Sequence, residues 1–237
     1  MAEIIKQQYH DHPQIAVIEQ CLEDALALRS DIPAECFQVS GMSGYVYRRF
    51  INNYVRTLTN PRYLEIGTWQ GSTLCAATGG IPNMQGLGVD NFTLDGGSYD
   101  ACLENISRTR HESSDVVVLN TNFEDFDYSA YGKFDVYMYD GWHSEQAQYD
   151  GIVRAKPALA EISLVLVDDW NNYYTFNGEP TNWPTEHHSQ VKVGTYNGFR
   201  DAGLEVLYKI EVETGENPAG ASDWHNGYGI FLVRNPG

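Results

Sequence analysis

The sequence predicts an α/β fold built on a doubly wound, mostly parallel sheet. Three observations carry this expectation. First, five short apolar runs, Tyr63–Ile66, Gly86–Val89, Val116–Leu119, Val136–Tyr139 and Leu164–Val167, are separated by stretches long enough for a crossover helix each. Second, these runs are continuous rather than alternating, as expected of strands covered on both faces. Third, two further strand-like runs, Glu205–Glu213 and Gly229–Val233, end the chain and are joined by a Gly/Pro-rich stretch. Such a pair adds an antiparallel C-terminal strand, so the expected sheet is seven-stranded and Rossmann-like.

The elements follow in order. Residues 14–28 carry Ile15, Ile18, Leu22, Ala25 and Leu28 at helical spacing, which predicts an amphipathic helix. A loop over residues 30–44 is punctuated by Pro33, Gly41 and Gly44. A second helix is expected over Tyr45–Leu58, stopped by Asn60-Pro61. Residues 1–59 are thus expected to form an N-terminal helical segment, and residues 60–237 the main domain. Beyond Asp169 the rhythm breaks. Residues 170–190 are rich in Asn, Pro and aromatics (Trp170, Tyr173, Tyr174, Phe176, Trp183) and read as a loop or lid suited to a sugar or phenolic ring. His187 and His188 lie there and read as solvated residues. A last helix is expected over Val191–Ala202.

Composition narrows the function classes. The chain has 237 residues, 42% of them hydrophobic, enough for one large domain and too many for wholesale disorder. No apolar run approaches the ~18 residues of a membrane span. The N-terminus shows no basic stretch followed by an apolar one, so no secretory signal is expected. A formal charge of −17 repels phosphate backbones, which disfavours nucleic-acid binding; Arg48-Arg49 is the only dense basic pair. Cys21, Cys36, Cys75 and Cys102 form no CxxC pair and read as free, mostly buried thiols of a reducing cytoplasm.

The chemistry-bearing residues cluster at strand ends. The first strand of the parallel set runs into Gly67-Thr68-Trp69-Gln70-Gly71-Ser72-Thr73. A strand opening into a Gly-bearing turn and then a helix lets a ligand approach the backbone and offers free N–H donors. The spacing is neither the dinucleotide fingerprint nor the nucleoside triphosphate loop; a plain tight turn is the alternative. The second strand ends in Asp90-Asn91, where a carboxylate is placed to accept hydrogen bonds from ribose hydroxyls. The third ends in Asn122-Phe123, whose amide and ring suit an adenine. The fourth ends in Asp140-Gly141-Trp142-His143 and the fifth in Asp168-Asp169-Trp170. Asp140, Asp168 and Asp169 form an oxygen-rich trio suited to Mg²⁺; the alternative is that Asp140 and Asp169 cap the helices that follow.

With these motifs the chain resembles the class I S-adenosylmethionine-dependent methyltransferases over about residues 60–237. Within them it is most similar to the metal-dependent small-molecule O-methyltransferases, of the macrocin and novobiocin sugar type, and more distantly to catechol O-methyltransferase. The resemblance implies an enzyme with S-adenosylmethionine as cofactor and Mg²⁺ or another divalent cation beside it. Glu65, Gly67, Gly71 and Thr73 would line the methionine end, with Thr68, Trp69 and Ser72 in the same turn. Asp90, with Asn91 beside it, would hold the ribose. Asn122 and Phe123 would flank the adenine, and Trp142 would border adenine and substrate. Asp140, Asp168 and Asp169 would hold the metal.

His143 falls where the catechol enzyme has a lysine base, so His143 and a metal-bound Asp140 are rival bases. Trp69 stands where the commonest methyltransferase turn has a third glycine, a departure shared by the metal-dependent subclass. The usual Pro-Gly-Gly turn before the fifth strand is replaced by Ala160-Glu161-Ile162-Ser163. The expected acceptor is a small hydroxylated molecule, with no nucleic-acid or membrane partner. The N-terminal helices are available for pairing with a second copy. Two rival functions share the fold: a hydroxylase-like enzyme, and a non-catalytic cofactor-binding module acting through partners.

Overall fold

The first element is one that the sequence hides. Glu3–Gln8 forms a strand, β1, in a computed structural model that describes residues 2–171, 190–213 and 223–237. Only two of its six residues are apolar, and Lys6, Gln7 and Gln8 face water, as befits a sheet edge. The N-terminal segment is therefore not helical throughout, and the sheet has eight strands instead of seven.

Two helices follow. In α1 (Pro13–Leu26) proline opens the first turn, and the His12 ring accepts the Gln14 N–H. In α2 (Tyr45–Arg56) the side chain of Arg48 is buried and donates to Ser43 Oγ and to the carbonyls of Cys36 and Val39. Arg49 lies over the Phe37 ring at 4.4 Å. The one dense basic pair thus ties the loop before α2 in place and is no exposed basic patch.

The parallel strands are β2 (Arg62–Ile66), β3 (Gln85–Asp90), β4 (Asp115–Asn120), β5 (Phe134–Tyr139) and β6 (Leu159–Asp168). Helices α3 (Ser72–Thr78) and α4 (Tyr99–Thr109) join β2, β3 and β4, and α5 (Glu145–Ala155) joins β5 to β6. No helix joins β4 to β5. The turn formers of that stretch win locally: Asp127 Oδ1 accepts both the N–H and the hydroxyl of Ser129. Phe123, Phe126 and Tyr128 fill the space a helix would have covered. Helix α6 (Gln190–Ala202) leads to β7 (Glu205–Glu213), and β8 (Tyr228–Arg234) ends the chain.

The strand order is β1-β7-β8-β6-β5-β2-β3-β4. Strand β8 is antiparallel to both β6 and β7, and β1 is antiparallel to β7. The C-terminal pair therefore inserts β8 inside the sheet, and the outer edge is β1. Alternation along each strand feeds two cores. Tyr63, Val136, Met138 and Leu164 meet Ile18, Leu22, Phe50 and Ile51 of the first two helices on one face. Leu64, Tyr137, Tyr139 and Val165 meet Ile152, Val191 and Phe199 of α5 and α6 on the other. All four cysteines are buried and free. No helix among the described residues is long and apolar enough to cross a membrane. The expected lid residues Tyr173, Tyr174, Phe176, Trp183, His187 and His188 lie outside the described residues.

Candidate active site

From β2 the chain steps outward through β3 and β4, then returns to lay β5 on the other side of β2. Open α/β sheets bind ligands beyond the C-terminal strand ends at such a reversal. Ile66 pairs with both Val89 and Tyr139, so β3, β2 and β5 end level with one another. A cavity of about 350 Å³ opens at this point.

One end of the cavity is built by the turn after β2. Gly67 has φ +85°, its N–H donates to Val89 O at 2.9 Å, and Asp140 N–H donates to Ile66 O at 2.9 Å. A Cβ at position 67 would stand 1.9 Å from the Asp140 carbonyl oxygen, so only glycine lets the two strand tips close. Trp69 holds φ +47°, unusual for a bulky residue. Its N–H donates to Asp90 Oδ2 at 2.7 Å, and the Phe92 N–H donates to Asp90 Oδ1 at 2.6 Å. Asp90 thus fastens the β2 turn to the β3 turn, and each oxygen keeps a lone pair for a ribose hydroxyl. Asn91, Thr93, Leu94, Thr121 and Phe123 continue this end. Asn122 is not in the wall: its Oδ1 accepts from Asn91 Nδ2 at 2.7 Å and its Nδ2 donates to Asp125 Oδ2 at 3.2 Å. Glu65, Thr68, Gly71, Ser72 and Thr73 also lie behind the wall.

The other end is acidic. Asp140, Asp168 and Asp169 all line the cavity, together with Trp142 and His143. Burial, then the neighbouring Asp168 and Asp169, drive the Asp140 carboxyl well above the usual carboxylate range. Burial and Asp169 push Asp168 up to about 8, against the opposing hydrogen bond from Tyr47. The Tyr47 hydroxyl, from α2, donates to Asp168 Oδ2 at 2.8 Å, and the Asp169 N–H donates to Asp168 Oδ1 at 2.9 Å. Asp169 sits at φ +51°. Its Oδ2 lies 3.0 Å from His143 Nε2, and its Oδ1 accepts from the Asn226 amide. His143 Nδ1 is buried without a hydrogen-bond partner.

Neither Asp140 nor Asp169 is used up as a helix cap in the described structure. The helix after Asp140 is capped by Ser144, which accepts the Ala147 N–H at 3.2 Å. Single ligand atoms of Asp140, His143 and Asp169 lie within 4.8 Å of one another, close enough to share one ion. The tightest donor set therefore includes His143 in place of Asp168, whose two oxygens already accept from Tyr47 and from the Asp169 amide. Oxygen donors with one imidazole suit Mg²⁺ or Mn²⁺.

Below the wall, Glu65 is fully buried. Burial pushes its carboxyl up to about 8, and Tyr63 Oη donates to Oε2 at 2.5 Å while Oε1 has no partner. Sequence reasoning missed Tyr47, Met42, His225 and Asn226. The last two sit in the turn before β8, where Asn226-Gly227 between two strands is a turn signal with no hint of the acids it would meet.

No protein-family model matches the chain, and no curated protein does. Solved structures do match. The O-methyltransferase TomG from Streptomyces achromogenes, involved in tomaymycin synthesis and solved in complex with SAM, is 13% identical with a TM-score of 0.59, over 96% of this chain and 100% of that one. The O-methyltransferase from Bacillus cereus in complex with SAH is 15% identical with a TM-score of 0.55, over 92% of this chain and 91% of that one. Cofactor-bound Rv0187 from MTB is 19% identical with a TM-score of 0.56, over 95% and 91%. At these identities the likeness is one of fold: the chain has the Rossmann-like architecture of these structures, two of them O-methyltransferases, as the resemblance in its sequence implies.

Proposed function

We propose that the protein is an S-adenosylmethionine-dependent O-methyltransferase acting on a small hydroxylated molecule with the help of a divalent cation. One observation carries this reading: a single switch-point cavity joins a glycine turn braced by Asp90 to a cluster of three carboxylates and a histidine. The solved neighbours bound to SAM or SAH support the cofactor class. When bound, the sulfonium supplies an electrophilic methyl group, and the cation lowers the pKa of a hydroxyl it holds.

The chain's own residues do the rest. The Gly67 turn and Asp90 hold the nucleoside end, with Phe123 and Asn91 beside it. Asp140 and Asp169, with His143 or Asp168, hold the cation. Trp142 borders the acceptor, and fixing the acceptor oxygen in line with the methyl contributes several kcal/mol, on the order of 7 or more in well-oriented systems. Where Asp168 completes the donor set, His143, oriented through Nε2 by Asp169, keeps Nδ1 to take the acceptor proton, an arrangement of base and orienting carboxylate known from other active sites. Iron oxygenase sites favour two histidines and one carboxylate, the reverse of the donors here. We place the protein in the cytoplasm on the strength of its free cysteines.

Calorimetry with S-adenosylmethionine, S-adenosylhomocysteine and NAD, with and without Mg²⁺, tests the reading. Micromolar binding of the first two and none of NAD is expected. Tight NAD binding, or no binding of either sulfur nucleoside, would overturn it.

A further inference from the structure

The turn before β8 is held with unusual care for a connection at the surface. The Asp223 carbonyl accepts the Val46 and Tyr47 N–H groups, at 3.2 and 3.3 Å, and so satisfies free donors at the start of α2. The Asn171 N–H donates to Asn226 O at 2.7 Å, and the Trp170 N–H to Gly227 O at 3.4 Å. Trp224 is buried against Tyr228. Inside this clamp His225 is forced to φ +48°, a conformation that residues other than glycine rarely hold. Strained residues that the surroundings over-determine cluster at functional sites, where the strain aims a side chain.

The place His225 reaches is the acidic end of the cavity. It lines the wall next to Asn226, whose amide holds Asp169. Its Nδ1 is buried and has no hydrogen-bond partner. A buried polar atom left unpaired costs stability, so a partner is expected in the working complex. The wall also selects by charge. Asp140, Asp168 and Asp169 converge here, and no lysine or arginine lines the cavity among the described residues. An anionic acceptor would therefore meet acidic side chains and no lysine or arginine among the described residues to pair with, which disfavours it.

We propose that His225 hydrogen-bonds a hydroxyl of the acceptor beside the one that is methylated, and that the acceptor carries no phosphate or carboxylate. This rests on the methyltransferase reading above. It assigns acceptor binding to a turn outside the nucleoside machinery and leaves out acceptors linked to nucleotides or coenzyme thioesters.

The test is calorimetry on the full chain loaded with S-adenosylhomocysteine and Mg²⁺ at neutral pH. The neutral probes are catechol and methyl glucoside; the matched anionic probes are 3,4-dihydroxybenzoate and glucuronate. At least one neutral diol should bind, and its anionic partner should bind about tenfold more weakly or worse. His225→Gly tolerates the left-handed backbone, so it should fold with a Tm close to that of the parent. It should nonetheless lose about tenfold in affinity for the diol, the scale of a lost hydrogen bond, with S-adenosylhomocysteine affinity unchanged. His225→Asn, which also tolerates this backbone but reaches less far, should show the same loss. Unchanged diol affinity in both variants, equal binding of the anionic probes, or no binding of any neutral diol overturns the proposal. Failure of S-adenosylhomocysteine to bind the parent chain is a separate result: it overturns the methyltransferase reading, and this proposal with it.

Discussion

Replacing Glu65 with glutamine should change how the stability of the protein depends on pH. Glu65 is fully buried, and burial raises its carboxyl from 4.5 to about 8. The sign follows from linkage. In the unfolded chain the group ionises near its ordinary value, whereas in the folded chain it stays protonated up to about pH 8. Between those two values the folded state binds the extra proton, so stability falls as pH rises. The slope is about 1.4 kcal/mol per pH unit for one proton, and integrating from about pH 5 to about pH 8 gives a loss of about 3–4 kcal/mol. Glutamine keeps an acceptor for the Tyr63 hydroxyl but does not ionise. Its amide N–H₂ would lack a partner, a pH-independent cost of about 1–3 kcal/mol. Urea unfolding of both proteins across this range, without metal, measures the difference directly. The parent should lose stability more steeply than Glu65→Gln, and the two curves should meet and then cross as pH rises. Parallel curves would refute the reasoning, because they would mean that Glu65 ionises alike in both states.

Further outcomes are expected at the cavity. Asp90→Ala should weaken S-adenosylhomocysteine binding by about 1.5 kcal/mol or more, as read by calorimetry, since it removes both a ribose acceptor and the brace on Trp69 and Phe92. Binding of Mn²⁺ should strengthen as pH rises and release protons, because burial and neighbouring acids hold the carboxyls of Asp140, in the donor set, and Asp168 beside it above the usual carboxylate range; titrations in buffers of different ionisation enthalpy count those protons. Tyr47→Phe removes the donor that holds the Asp168 carboxyl down, so the pH at which Mn²⁺ binds half-maximally should move upward. Asp169→Asn should abolish methyl transfer to a hydroxyl acceptor in a radiolabel assay while leaving S-adenosylhomocysteine affinity nearly intact, since Asp169 touches His143 and Asn226 and not the nucleoside turns.

The parallel strands were legible because each is a continuous apolar run, a signal that depends on no distant residue. Their tips were legible for the same reason: once five strands are placed, Gly67, Asp90, Asp140 and Asp168 must share one edge of the sheet. What the sequence hid depends on long-range pairing. Glu3–Gln8 has the composition of a solvated tail and becomes a strand only because β7 offers an open edge. The segment between β4 and β5 is long enough for a helix, but Asp127, Ser129 and the packing of Phe126 on Tyr128 settle it as turns. Tyr47 lies in a helix far from the strand tips in sequence, and His225 and Asn226 lie in the turn that leads into the antiparallel strand β8. Nothing local in α2 or in the Trp224–Gly227 turn announces a contact with Asp168 or Asp169.

The cavity also runs against the stability of the fold that holds it. Glu65, Asp140 and Asp168 all have carboxyls raised by burial, and Asp140 and Asp168 are raised further by one another or by Asp169. Asp169, Trp69 and His225 each hold a backbone conformation that costs roughly 1–2 kcal/mol for a residue with a side chain. A sequence selected for stability alone would place apolar residues and glycines here. The surroundings explain how the arrangement survives. The strained residues are fixed by hydrogen bonds from neighbouring elements: Asp90 to Trp69, Asn226 to Asp169, and the Asp223 carbonyl to the start of α2. The raised carboxyls of Asp140 and Asp168 lie at one end of the cavity, where a cation can neutralise them, and the strained residues ring the same space. Raised carboxyls and left-handed residues brought together at one place point to binding and chemistry at that place. That convergence, more than the glycine turn alone, is what favours an enzyme over a cofactor-binding module that has lost its chemistry.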